Sequence, residues 1–124
     1  MVATTNEWIL ERTGIRERHI VDPGVAASDL AVEAARDLAV RHNVDLNEVE
    51  VIIVGTVTPD MMYPSTACLV QKKLAIPQAW GFDVSAGCSG FVFALTSLTQ
   101  QFVNQRFGLN LLLYVEWRSL DNQI

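Results

Sequence analysis

The cysteine at position 88 is the residue of this chain best suited to covalent chemistry. It lies in Asp83-Val84-Ser85-Ala86-Gly87-Cys88-Ser89-Gly90-Phe91, where an apolar run over 79–84 gives way to small residues and then to a second apolar run. The pattern predicts a buried strand, a sharp turn and a helix, with the sulfur at the helix start, as in a nucleophile elbow. Three effects converge in such a place. Gly87 and Gly90 relieve crowding and let a substrate approach the backbone. Unpaired amides at the helix start can hold an oxyanion. The positive end of the helix favours thiolate over thiol. A cysteine so activated can accept an acyl group as a thioester. The other reading of the same residue is an inert buried thiol packed as a small hydrophobe, and the segment leaves both open. Cys68 falls inside a predicted helix over 65–74 and reads as core.

Other chemistries find little support. Cys68 and Cys88 form no paired motif, and His19 and His42 lie far from both, so neither a disulfide framework nor a metal site is expected. Two free thiols fit a reducing compartment, which makes the cytoplasm the expected location. The formal net charge of -5 argues against a nucleic-acid partner. Arg12, Arg16 and Arg18 are a local basic exception that could face an anion or simply solvent. Residues 1–7 have no basic start and no apolar stretch of a leader. Residues 84–105 carry no charge, but their serines, threonines, glutamines and glycines suit a buried helix better than a membrane span.

The elements that must position Cys88 follow from pattern. Residues 6–12 read as a short amphipathic helix ended by Thr13-Gly14, with Trp8 as a core anchor. Residues 15–21 alternate apolar and charged side chains, predicting an exposed strand or extended loop before a turn at Asp22-Pro23-Gly24. Leu30, Ala31, Ala34, Ala35, Leu38 and Ala39 recur at helical spacing, with Ser28 or Asp29 as the cap and Asn43 as the stop. Residues 51–55 are apolar on both sides, as a strand covered on both faces should be. A loop over 56–63, a helix capped by Ser65 and running to about Leu74, a strand over 79–84, a helix stacking Phe91, Leu95, Leu98 and Phe102, and a strand over 109–115 complete the chain. With 50% apolar and 19% charged residues, the composition supports a packed core. Strand-helix-strand-helix-strand implies a layered α/β fold with a βαβαβ core.

Four stretches carry a resemblance. Asn6-Glu7-Trp8-Ile9-Leu10-Glu11-Arg12-Thr13-Gly14-Ile15-Arg16-Glu17-Arg18, Gly55-Thr56-Val57-Thr58-Pro59-Asp60, Tyr63-Pro64-Ser65-Thr66-Ala67 and Ala86-Gly87-Cys88-Ser89-Gly90-Phe91 resemble, in order and spacing, motifs of the β-ketoacyl-acyl-carrier-protein synthase III family. The likeness runs from about Thr4 to Val103. It implies a thiolase-like fold of which residues 1–124 form an incomplete N-terminal part, with 104–124 as a divergent tail. It implies that Cys88 takes an acyl group from acyl-CoA, acetyl-CoA by default, and that the enzyme condenses it with malonyl-acyl-carrier protein, losing carbon dioxide and initiating fatty-acid synthesis. Trp8 would stack on the CoA adenine, Arg12 and Thr13 would contact the same nucleotide end, and Thr4 would lie nearby. Tyr63 matches a position that reaches across a homodimer into the partner's acyl pocket. No cofactor, metal or membrane is implied beyond the CoA substrate.

The family's decarboxylation step uses a histidine and an asparagine that no motif of this chain supplies, and His19 and His42 match neither. The chain alone is therefore expected to condense poorly, since losing an oxyanion donor costs about a hundred- to a thousand-fold. The alternative is an inactive remnant, or a module that binds acyl-CoA or a protein partner.

Overall fold

Val51-Ile52-Ile53-Val54 is apolar on both sides because both sides are covered. The computed structural model describes residues 5–17, 19–103 and 108–115, apart from the side chains of 101–103 and 114. The run belongs to β1 (Val49–Gly55), the central strand of a three-stranded sheet. β2 (Trp80–Val84) and β3 (Leu109–Tyr114) flank it, both parallel to it. Ile52 and Val54 point into one core with Ala67, Val70, Leu111 and Leu113. Val51 and Ile53 point into the other, against Ala94, Leu98 and Leu112. Parallel strands need crossover connections, and these put helices on both faces. A register shift at Glu50 resets the alternation, so that Val49 joins Ile52 and Val54 on one face. The exposed Glu50 carboxylate takes the Gly108 amide at 2.7 Å and ties the start of β3 to this bulge.

Among the described residues, four α-helices complete the architecture: α1 (Asn6–Thr13), α2 (Ala27–His42), α3 (Thr66–Leu74) and α4 (Gly90–Val103). α2 and α3 pack together on one face of the sheet, and α4 covers the other. The α2 start departs from expectation. Its cap is Ala26, and the Asp29 carboxylate reaches back to the Ala26 amide at 3.0 Å. Ser28 is buried as the second residue of the helix rather than serving as the cap. Asn43 does end the helix, in the left-handed conformation it tolerates. Ser65 caps α3 by accepting the Cys68 amide at 3.3 Å. Of the predicted extended segment 15–21, the described residues form no strand. The expectations for Thr4, Arg18, Phe102 and the tail outside 108–115 lie outside the described residues and side chains.

Gly81 shows how tightly α3 sits on the sheet. A Cβ there would lie 2.3 Å from the Ile52 carbonyl oxygen and 3.1 Å from Ala67 Cβ. Only a residue without a side chain lets β2 approach β1 and α3 this closely.

Candidate active site

In a parallel sheet the connections that leave the strands' C-terminal ends gather at one edge, the usual place for a ligand. Here the ends of β1 and β2 release two such segments. Residues 56–65 lead from β1 to α3, and residues 85–89 lead from β2 to α4.

The second segment carries Cys88. Ala86 has φ -143° and ψ 23°, and Gly87 takes a left-handed φ of 52°. The chain thereby reverses within two residues and enters a single 3-10 turn, Gly87–Ser89, that runs directly into α4. Cys88 sits on that turn and is exposed. The sulfur is therefore not packed as a small buried hydrophobe. The amides around it are not all free. Ser89 donates to the Ala86 carbonyl at 3.1 Å, and the Gly90 amide donates to the Gly87 carbonyl. The oxyanion donors expected from the helix start are to this extent already engaged within the turn. Cys68 is also exposed, correcting its reading as core, and its sulfur accepts from Ser65 Oγ at 3.2 Å. Helical spacing alone does not tell which face of α3 turns outward.

The first segment is pinned at both ends. Thr56 is buried and its amide donates to the Val84 carbonyl at 3.1 Å. The Asp60 carboxylate accepts the Ser28 amide at 2.9 Å and the Ser28 hydroxyl, and Lys73 Nζ reaches the same hydroxyl at 2.6 Å. Between Asp60 and the Ser65 cap, Met61, Met62 and Tyr63 project into solvent, Tyr63 with 88% of its surface exposed. The two segments are joined by Asp83. Its carboxylate accepts the Thr66 amide at 2.7 Å and the Ala67 amide at 2.8 Å, the first two of α3.

α1 stands apart. It buries none of its residues and is not packed extensively on any other described element. Trp8 is 47% exposed, contrary to its reading as a core anchor, and the Arg12 guanidinium lies 4.6 Å from its ring centroid. That is cation–π geometry. Thr13 donates its hydroxyl to the Ile9 carbonyl at 2.7 Å and accepts the Ile15 amide at 3.1 Å, closing the helix end. The structure thus brings Trp8, Arg12 and Thr13 onto one short helix, and it brings Cys88 and the Tyr63 segment to one edge of the sheet. Among the described residues no cluster of three or more His, Cys, Asp or Glu could hold a metal, and no helix is long and apolar enough to cross a membrane.

No protein-family model matches the chain. Individual proteins do. The β-ketoacyl-[acyl-carrier-protein] synthase III of Koribacter versatilis is 75% identical over 97 residues, which are 78% of this chain and 29% of that protein. Over these residues the chain is a homologue of β-ketoacyl-[acyl-carrier-protein] synthase III. The synthase III of Caldanaerobacter subterraneus subsp. tengcongensis is 50% identical over 112 residues, 90% of this chain and 34% of that protein. The chain therefore spans about a third of the length of these relatives. Among solved structures, the 3-oxoacyl-[acyl-carrier-protein] synthase III of Aquifex aeolicus superposes with a TM-score of 0.79 at 37% identity, covering 91% of this chain and 36% of that one. The priming β-ketosynthase of the R1128 polyketide pathway gives 0.78 at 32% identity, covering 91% and 34%. The fold is an incomplete thiolase-like α/β arrangement, as the motifs implied.

The synthase III motifs fall on two parts of this fold. The stretches at 55–60, 63–67 and 86–91 converge at the C-terminal edge of the sheet, whereas 6–18 forms α1 and the segment after it. Residues that hold the edge together were missed by sequence reasoning. Asp83 and Asp60 act on amides 16 to 32 residues away, a separation that leaves no local pattern. The one available signal was a lone acidic residue ending an apolar strand.

Proposed function

We propose that this chain carries the acyl-accepting part of a β-ketoacyl-acyl-carrier-protein synthase III. Cys88 Sγ attacks the thioester carbonyl of a short acyl-CoA, acetyl-CoA by default. A bond forms from Sγ to the carbonyl carbon, the carbon–sulfur bond to CoA breaks, and CoA leaves as its thiolate. In the whole enzyme, malonyl-acyl-carrier protein then loses carbon dioxide, and the resulting carbanion attacks the Cys88 thioester, releasing Sγ and forming the new carbon–carbon bond. The observation that carries the reading is the exposed Cys88 on a glycine turn between β2 and α4.

The supporting sites take the roles the resemblance implies. Trp8 offers a ring face to the adenine while Arg12 holds the other face, and Arg12, Thr13 and Thr4 serve the nucleotide end. Tyr63, far out in solvent, suits a contact with a second copy in a cytoplasmic homodimer. Residues for decarboxylation are not among the motifs of this chain, so acylation is the step its own side chains support.

Incubation with acetyl-CoA followed by intact-mass and peptide analysis tests the reading. A 1:1 acetyl adduct on Cys88, absent in Cys88→Ala and with Cys68 unmodified, is the expected result. No adduct on a folded chain, or equal labelling of both cysteines, would sink it and favour a remnant or a binding module.

A further inference from the structure

We infer that Asp83 is a positioning residue for Cys88, acting by locking the end of β2 to the first turn of α3. The inference deepens the acyl-transfer reading and rests on it. The first three amides of α3 have no partners within the helix and must find them elsewhere. Two go to Asp83, Thr66 N at 2.7 Å and Ala67 N at 2.8 Å, and the third, Cys68 N, goes to Ser65. A carboxylate gripping two amides at a helix N-terminus is a charge-assisted, bidentate contact with one allowed geometry.

A second observation places the lock in a joint without slack. Two residues before Asp83, Gly81 leaves no room for even a methyl group between Ile52 and Ala67. Ala67 is thus held from below by Gly81 and from above by Asp83. Beyond Asp83 the chain has only Val84, paired with Gly55, and Ser85-Ala86-Gly87 before the sulfur. The Thr56 amide on the Val84 carbonyl ties this end of β2 to the start of the Tyr63 segment, and the Asp83 carboxylate ties it to α3. A nucleophile shifted by roughly 1 Å can lose about a hundred-fold in rate even when substrate binding is intact. Asp83 acts without touching substrate or sulfur; it sets where the turn begins.

The test compares Asp83→Asn, which keeps one acceptor oxygen, with Asp83→Ala and with Ser65→Ala, which weakens the same helix end without touching Asp83. The maximal rate of Cys88 acetylation per folded molecule and the half-saturating acetyl-CoA concentration are measured, with circular dichroism giving the folded fraction. The expected result is a maximal rate ordered wild type, Asn, Ala, falling about ten-fold or more in Asp83→Ala, with half-saturation nearly unchanged and Ser65→Ala close to wild type. An unchanged rate in the folded Asp83 variants, or an equal loss in Ser65→Ala, overturns the inference. If Asp83→Ala does not fold, Asp83→Asn alone decides it by the same criterion. If wild-type Cys88 does not accept acetyl groups, the acyl-transfer reading fails separately, and the rate of Cys88 alkylation by iodoacetamide then decides: a rate that shifts in Asp83→Asn but not in Ser65→Ala supports the lock, and identical rates overturn it.

Discussion

Gly87 turns the chain with a left-handed backbone that other residues resist, at a cost of roughly 1–2 kcal/mol for an L side chain. No atom outside its immediate neighbours lies within 4 Å of where its Cβ would be, so the penalty of a substitution is conformational and not steric. Gly87→Ala is therefore expected to fold with a loss of about 1 kcal/mol in urea denaturation and to slow Cys88 acetylation, because the turn relaxes away from φ 52°. Wild-type acetylation in that variant would show that the turn does not need this conformation. At this scale the sequence was informative where the signal is local. A cysteine between glycines after an apolar run marks a bend in any context. The exposure of Trp8 and Cys68 was not legible, because an aromatic or thiol at helical spacing looks the same whether its helix face is covered or open.

Among the elements, α2 draws its start from the Asp29 carboxylate. That group is held below the usual carboxylate range first by its hydrogen bond from Lys73, at 2.5 Å, and then by the Ala26 amide. Asp45, lowered by the Asn47 amide and side chain, acts in the same direction. A carboxyl whose pKa is depressed on folding binds its proton more readily in the unfolded chain. Its contribution is complete above the ordinary value of 3.8 and disappears as pH falls through the lower folded-state value. Urea midpoints measured from pH 6 to pH 2.5 should fall below pH 4 in the wild type. In Asp29→Asn the midpoint should start lower and decline less. Because both partners are substantially exposed, added salt should narrow the difference. Parallel curves for the two proteins would remove Asp29 from the account. Strands and helices were readable here because burial on two faces and burial on one stripe impose different periods. The start of α2 was not, because a reciprocal cap uses a backbone amide and a carboxylate three residues on, with no capping side chain at Ala26 to announce it.

The whole molecule shows an imbalance between its faces. α2 and α3 bury Ala31, Val32, Ala35, Ala67 and Val70, although Ala34 and Leu38 of the predicted α2 stripe are exposed, whereas α4 turns Phe91, Val92, Phe93 and Leu95 toward solvent, next to a sheet in which, among the described residues, β2 and β3 each have one unpaired side. Contiguous apolar surface of this kind drives association. Light scattering should show concentration-dependent self-association of the 124-residue chain, reduced in Phe93→Lys, with little change in thermal stability since Phe93 is 55% exposed. A monodisperse wild type across the range would contradict this. The α/β class was legible from the element order, but the covered side of α4 was only partly so: of the predicted face, Leu98 packs on the sheet beside Ala94, whereas Phe91 and Leu95 are exposed.

The central position of β1 has a consequence for the timing of assembly. Its neighbour on one side arrives some thirty residues later in the chain, and Leu109, the partner of Val49 on the other side, sixty residues later. During synthesis β1 therefore waits half-covered while the cysteine turn and all of α4 are still being made. The reactive edge can take shape around β1 and β2 alone, before β3, the last of the three described strands, has been made.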